Sequence, residues 1–186
     1  MIYIVSGTSR AGKTIVAKKI SEQTGLPYFS VDWLVMGFGN GIPDYGIHHM
    51  MMPDVIAKNI WSFLKAMCEA IILNGESCVI DGEALLPELV YELTNKFPDD
   101  VKVVFLGFTE ISLDEKVKQV QQYAQLKKDW ISDKSKEYIR DHVKNMLPHS
   151  KEIRKSCKKY NIKYFDTSKN FERTIEDVVE YLLDQS

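Results

Sequence analysis

Cysteine is scarce in this sequence: Cys68, Cys78 and Cys157 are an odd number, and none falls in a C-x-x-C spacing. That excludes a disulfide framework and a zinc site built on paired cysteines, and it suits reduced thiols in a cytoplasmic protein. Long hydrophobic runs are missing too. No stretch approaches the roughly 20 apolar residues that a membrane helix requires, and Met1 leads straight into an apolar, strand-like run, leaving no space for a signal peptide. Neither sign of charge is in excess: 24 Lys and Arg stand against 26 Asp and Glu, for a net charge of −2. A chain so balanced lacks the footprint of a nucleic-acid binder. Arginine is confined to Arg10, Arg140, Arg154 and Arg173, so the stretch from 11 to 139 has none. Repeats and low-complexity tracts are absent. What is present is ordinary for a globular protein: 186 residues, 45% hydrophobic and 27% charged, fit one domain over 1–186 with a substantial core.

Against this background Gly7-Thr8-Ser9-Arg10-Ala11-Gly12-Lys13-Thr14 stands out as a full match to the phosphate-binding pattern G-x-x-x-x-G-K-[ST]. Ile2-Tyr3-Ile4-Val5 before it reads as a buried parallel strand. Ile15, Val16, Ala17 and Ile20 after it recur at helical spacing. Gly7 and Gly12 let the backbone turn tightly, so that Thr8, Ser9, Arg10 and Ala11 bring their N–H groups to a polyphosphate. The following helix points its positive end at the same anion. Lys13 can reach the β- and γ-phosphates, and Thr14 can offer its hydroxyl to Mg²⁺. ATP and Mg²⁺ are therefore the expected cofactors.

Thr24-Gly25-Leu26-Pro27 stops the first helix. Tyr28-Phe29-Ser30-Val31 reads as a second strand with Asp32 at its C-terminal end, the edge where open α/β sheets bind ligands. A carboxylate there can take the proton of a hydroxyl attacking ATP; the same Asp can equally begin a short helix. Gly37 to Pro53 reads as a long pocket loop, with Asp44, Tyr45, His48 and His49 as its polar candidates. The adjacent His residues lack metal-site spacing. Asp54 to Asn74 is an amphipathic helix with Ile56, Ile60, Phe63, Leu64, Met67 and Ile71 inward and Trp61 off the stripe, over the pocket. Together, 33–75 is the expected substrate-binding insertion.

Ser77 to Asp81 is the third strand, and its terminal Asp81 fits a carboxylate that holds Mg²⁺ through water. Glu83 is an alternative base or metal-shell residue, or else an exposed acid. Leu85 to Phe97 is a helix, Val101 to Leu106 a strand, and Leu113, Val117 and Val120 mark a helix to about Tyr123. Residues 125–134 break the periodicity and read as a lid, where Lys127 and Lys128 either neutralise a transferring phosphate or form a solvated turn. Tyr138, Ile139, Val143, Met146 and Leu147 stripe the next helix, which Pro148 interrupts or restarts. Arg140 is a candidate to reach back to the phosphates. Arg154, Lys155, Lys158 and Lys159 read as a solvated face. Ile162 to Asp166 is the fifth strand, Ser168 in the next loop is a candidate wall for adenine, and Ile175, Val178, Val179, Leu182 and Leu183 make the last helix. Strands alternating with helices predict an α/β fold of the P-loop NTPase type: three layers, α/β/α, around a five-stranded, mainly parallel sheet.

Taken together, the phosphate loop, Asp32, Asp81, the lid and the loop at Ser168 resemble the P-loop kinases of small metabolites and nucleoside monophosphates, over nearly the whole chain. The spacing of Asp32 is similar to that in shikimate-kinase-like enzymes, chloramphenicol phosphotransferases and zeta toxins. The resemblance implies Asp32 as base, Lys13 as phosphate clamp, and Thr14 with Asp81 as the Mg²⁺ arrangement. Two departures stand out. Nucleoside monophosphate kinases carry lid arginines, and 125–134 has none. The arginines that grip an acceptor phosphate are also missing, which favours a neutral or amine-bearing hydroxyl compound as acceptor. The leading expectation is an ATP- and Mg²⁺-dependent phosphotransferase acting on a small-molecule hydroxyl, as monomer or homodimer. The alternatives are a nucleoside monophosphate kinase of the adenylate-kinase-like kind and a non-catalytic ATP-binding regulatory module. A GTP switch is disfavoured, because Asn95-Lys96 continues as Phe97-Pro98 rather than N-K-x-D, and Asp81-Gly82-Glu83-Ala84 is not D-x-x-G.

Overall fold

A computed structural model of the chain describes residues 1–127 and 130–184. β1 (Ile2–Gly7) is its central strand, and β-branched residues buried on both faces explain why it forms where it does. It pairs in parallel with β3 (Cys78–Gly82) on one side and β4 (Val101–Gly107) on the other. β2 (Tyr28–Ser30) and β5 (Lys163–Asp166) complete the edges, giving the order β2-β3-β1-β4-β5. All of these pairings are parallel, so every strand ends at the same edge.

Alternation along the strands divides the core into two layers. Ile2, Ile4, Ile80 and Phe105 point to one face, packed by α2 (Val31–Gly41), α3 (Pro53–Leu73), α4 (Pro87–Lys96) and the later half of α6 (Lys136–Lys159). Val5, Val79, Val104 and Leu106 point to the other, packed by α1 (Lys13–Thr24) and α7 (Phe171–Leu183). A smaller cluster joins Val117, Val120 and Ala124 of α5 (Leu113–Lys127) to Ile131, Ile139 and Val143. The three-layer α/β/α arrangement expected from the sequence is present. The three cysteines are buried in the first layer; burial pushes the thiols of Cys68 and Cys157 up to about 12 and raises that of Cys78.

Four expectations about local structure are corrected. Val31 belongs to α2 and not to β2. The segment 37–53 is not one long loop: α2 runs through its three glycines to Gly41, and a 3₁₀ turn follows at Pro43–Tyr45. Propensity is overridden here because Val35 and Phe38 are buried, with Phe38 stacked on Tyr45 at 4.5 Å. The inward stripe of α3 is shifted: Ala57, Trp61 and Cys68 are buried, whereas Phe63 is 43% exposed. Trp61 is core, donating its indole N–H to Glu92 at 3.4 Å, and not a pocket cover. Finally, Pro148 neither stops nor restarts α6, and Tyr138, expected inward, is exposed. Ile139, Val143, Ser150, Ile153 and Cys157 bury one face across the proline, which offsets its missing N–H. Among the described residues no helix is long and apolar enough to cross a membrane.

Phe105 is fully buried on the central layer. Phe105→Ala is expected to lower unfolding free energy by about 4 kcal/mol. Urea denaturation should show a lower midpoint at unchanged slope.

Candidate active site

The phosphate loop leaves β1 under tight constraint. Gly7 has φ 125°, and a Cβ there would lie 1.9 Å from the carbonyl oxygen of Leu106. The Thr8 N–H donates to that same carbonyl at 2.9 Å. Gly12, at φ 100°, caps α1, and a Cβ there would lie 2.6 Å from Ile175 Cδ1. Between them Thr8 and Ala11 are fully buried, and Arg10 holds a left-handed φ of 64°. No side chain caps α1, so the orphan N–H groups of its first turn open toward the loop. Lys13 folds back over the loop, its ammonium donating to the Thr8 carbonyl at 2.9 Å. A concavity of backbone N–H groups with one lysine across it fits a polyphosphate.

Beside it, both oxygens of Asp81 are held. Thr14 donates its hydroxyl to Oδ2 at 2.6 Å, and Tyr28 donates its own to Oδ1 at 2.8 Å. Burial, then the charge of Asp81, raises the pKa of Tyr28, which keeps it a donor. Among the described residues, no three His, Cys, Asp or Glu side chains group to hold a metal ion on their own. The pair of Thr14 hydroxyl and Asp81 carboxylate fits Mg²⁺, which keeps waters and takes substrate phosphates to complete its shell.

Asp32 stands in the first turn of α2, following directly from Ser30, whose register partner is Asp81. Its side chain is open to solvent yet crowded by the walls of the cleft. That loss of water raises its pKa above the usual carboxylate range; Asp81 and Glu83 push the same way, while Lys13 and the Glu83 N–H oppose. Glu83 lies between the two halves of the site: its Oε1 accepts the Ser9 N–H at 3.2 Å and stands 3.9 Å from His149 Nδ1.

Helix α6 reaches the site through residues that the sequence reading passed over. His142 Nε2 is 3.1 Å from Ser9 Oγ, and His149 lies against Glu83. Seven residues apart, the two share one helix face. Arg140, two residues before His142, sits about 200° away round the helix, and it pairs with Asp114 instead of reaching the phosphate loop. Neither histidine falls in a motif, so only their spacing marks them in the sequence. A search at spacing seven for polar residues on the buried stripe would have found them.

Other candidates scatter. In the segment read as a lid, Trp130 covers Arg10, its ring centroid 4.8 Å from the guanidinium carbon, and meets His142 edge-on at 5.5 Å. Lys128 lies outside the described residues, as does the side chain of Lys127. The Ser168 hydroxyl accepts the Glu110 N–H at 2.9 Å and donates to Asp166, so it ties the loop after β5 to the loop after β4. Asp44, Tyr45, His48 and His49 are exposed.

No protein-family model matches the chain, and no curated protein matches its sequence. Solved structures do resemble it. A gluconokinase from Sinorhizobium meliloti 1021 superposes at a TM-score of 0.59 with 17% identity, over 97% of this chain and 90% of that one. A shikimate kinase from Bacteroides thetaiotaomicron gives 0.55 with 15% identity over 98% of both chains. A sugar kinase from Janibacter sp. HTCC2649 gives 0.54 with 18% identity, over 97% of this chain and 93% of that one. The fold is that of the P-loop small-metabolite kinases.

In this P-loop kinase fold, Lys116 of α5 is 2% exposed behind the phosphate loop, its ammonium 4.2 Å from the Phe108 ring centroid and 5.8 Å from that of Phe171. Burial, then the charge of Arg10, pushes it down to about 8, with Asp166 opposing. An unfolded Lys titrates near 10.4. Between the two values the unfolded chain therefore holds more protons, and the stability tied to this site rises with pH. Lys116→Met should stabilise the fold by about 2 kcal/mol at pH 7, with the gain vanishing above pH ~10 as both states lose the proton. Urea denaturation at pH 7, 9 and 10.5 checks this.

Proposed function

We propose that the chain is an ATP-dependent phosphotransferase that moves the γ-phosphate to a hydroxyl of a small molecule. One observation carries the reading: the phosphate loop, the Thr14–Asp81 pair and Asp32 converge at one sheet edge, with Asp32 in the electrostatic field of both Lys13 and Asp81. The similar structures named for gluconate, shikimate and sugar support a small-molecule acceptor.

The loop N–H groups and Lys13 would hold the polyphosphate, and Thr14 and Asp81 would hold Mg²⁺. The bound ion supplies charge neutralisation at the β- and γ-oxygens. Lys13 would exchange the Thr8 carbonyl for phosphate oxygens. Tyr28 fixes the carboxylate of Asp81 so that it does not rotate away from Thr14. Asp32 orients the acceptor hydroxyl and takes its proton, a role suited by the raised pKa that burial gives it. Trp130, over Arg10, and His142 of α6, against Ser9, flank the phosphate side. A nucleoside monophosphate acceptor would meet no arginine on α2, α3 or α4 to grip its phosphate.

In a coupled ADP-release assay, Asp32→Asn should lower kcat by about 10²–10⁴-fold, while calorimetry finds ATP affinity unchanged. Lys13→Ala should weaken ATP binding and suppress turnover together. Unaltered turnover in Asp32→Asn would remove the base assignment. The acid limb of the kcat/KM profile should lie above pH ~4, the ordinary carboxylate pKa.

A further inference from the structure

The acceptor side of the cleft is unbalanced in charge. Residues 11 to 139 contain no arginine. The lysines facing α3 and α4 are already paired: Lys58 stands 3.9 Å from Asp54, Lys65 2.6 Å from Glu92 and Lys96 3.0 Å from Glu69. Asp32 accepts from the Glu83 N–H and lies in the field of the Glu83 carboxylate, with Lys13 as the cation acting on it, and a polyphosphate would claim that lysine. Asp54, at the start of α3, adds its field at His149.

His149 supplies the second observation. Both of its ring nitrogens are buried, and neither has a hydrogen-bond partner among the described residues. Burial disfavours its charged form, with Lys13 acting the same way against Glu83 and Asp54. A neutral imidazole offers one donor and one acceptor. Leaving both unmet is costly, and a native fold that does so commonly keeps them for something else. A hydroxyl, which can give or receive, suits either nitrogen. A carboxylate on the acceptor would stand against Asp32, Glu83 and the nucleotide phosphates at once. An ammonium there would instead make charge-assisted bonds.

We propose that the acceptor is a hydroxyl compound carrying a protonated amine, an amino sugar or amino alcohol, with its ammonium at Glu83 and a hydroxyl on His149. Acidic analogues are rejected. This rests on the phosphotransferase reading above, and the test is designed so that each can fail alone.

Calorimetry on the full chain, with Mg²⁺ and a non-hydrolysable ATP analogue, would compare two matched sets: glucosamine, glucose and gluconate; 2-amino-1,3-propanediol, glycerol and glycerate. In at least one set the amine should bind about tenfold tighter than the neutral member and about a hundredfold tighter than the acid. Glu83→Gln should bring amine and neutral member to within about twofold. His149→Phe should weaken both alike, and His149→Asn should restore part of the loss, which a purely structural histidine would not allow. Melting curves establish that each variant is folded. An acid that binds as well as its amine, or the failure of both amines to bind, overturns the proposal. ADP release from Mg·ATP, with the same compounds and variants, separates the two readings. Amine binding without ADP release removes the kinase and keeps the selectivity. ADP release with the acid but not the amine does the reverse.

Discussion

The carbonyl oxygen of Leu106 occupies the place where a side chain at position 7 would have to go. That close approach of β4 to the end of β1 fixes where the chain lifts off the sheet, and the rest of the site follows from it. The Thr8 N–H is tied to the same carbonyl, so the loop turns at one point and no other. Helix α1 then begins at Lys13, beneath the loop and over β3. One residue later Thr14 meets Asp81, which parallel pairing has already set beside Val5. A glycine is often explained by the ligand it admits; here Gly7 and Gly12 are required first by the protein's own backbone and by Ile175 and Phe171.

The architecture was readable because strands and helices in this fold have different periods. Ile2 and Ile4 against Val5, and Phe105 against Val104 and Leu106, announce a two-faced sheet without any tertiary knowledge. The phosphate loop was readable because its chemistry demands fixed residue types at fixed offsets. What was not readable depended on tertiary context. Three glycines within five residues argue for a loop, and only the burial of Val35 and Phe38 reverses that. Trp61 and Phe63 exchange inside and outside because α3 packs against α4, with Glu92 receiving the indole N–H. Tyr28 looked like one more apolar strand residue; its hydroxyl acquires meaning only when β2 is laid beside β3.

The helix after the segment at 130–134 shows how expectation about charge can mislead. Phosphate chemistry invites a search for arginine, and Arg140 is the first one in the sequence beyond the phosphate loop's own Arg10. It points instead to Asp114, whereas His142 and His149 line the face that meets Ser9 and Glu83. The site therefore handles its second wall with polar groups that are neutral when buried, next to carboxylates. This is a different electrostatic arrangement from an arginine-clamped cleft.

The placement of the three cysteines has a consequence for how this protein can be observed. All three belong to the layer formed by α2, α3, α4 and the later half of α6; none lies in the layer of α1 and α7. With thiols buried and held in the unreactive protonated form, an alkylating reagent has nothing to attack until that layer opens. The kinetics of modification would then time the breathing of the acceptor side separately from the nucleotide side, without any introduced label.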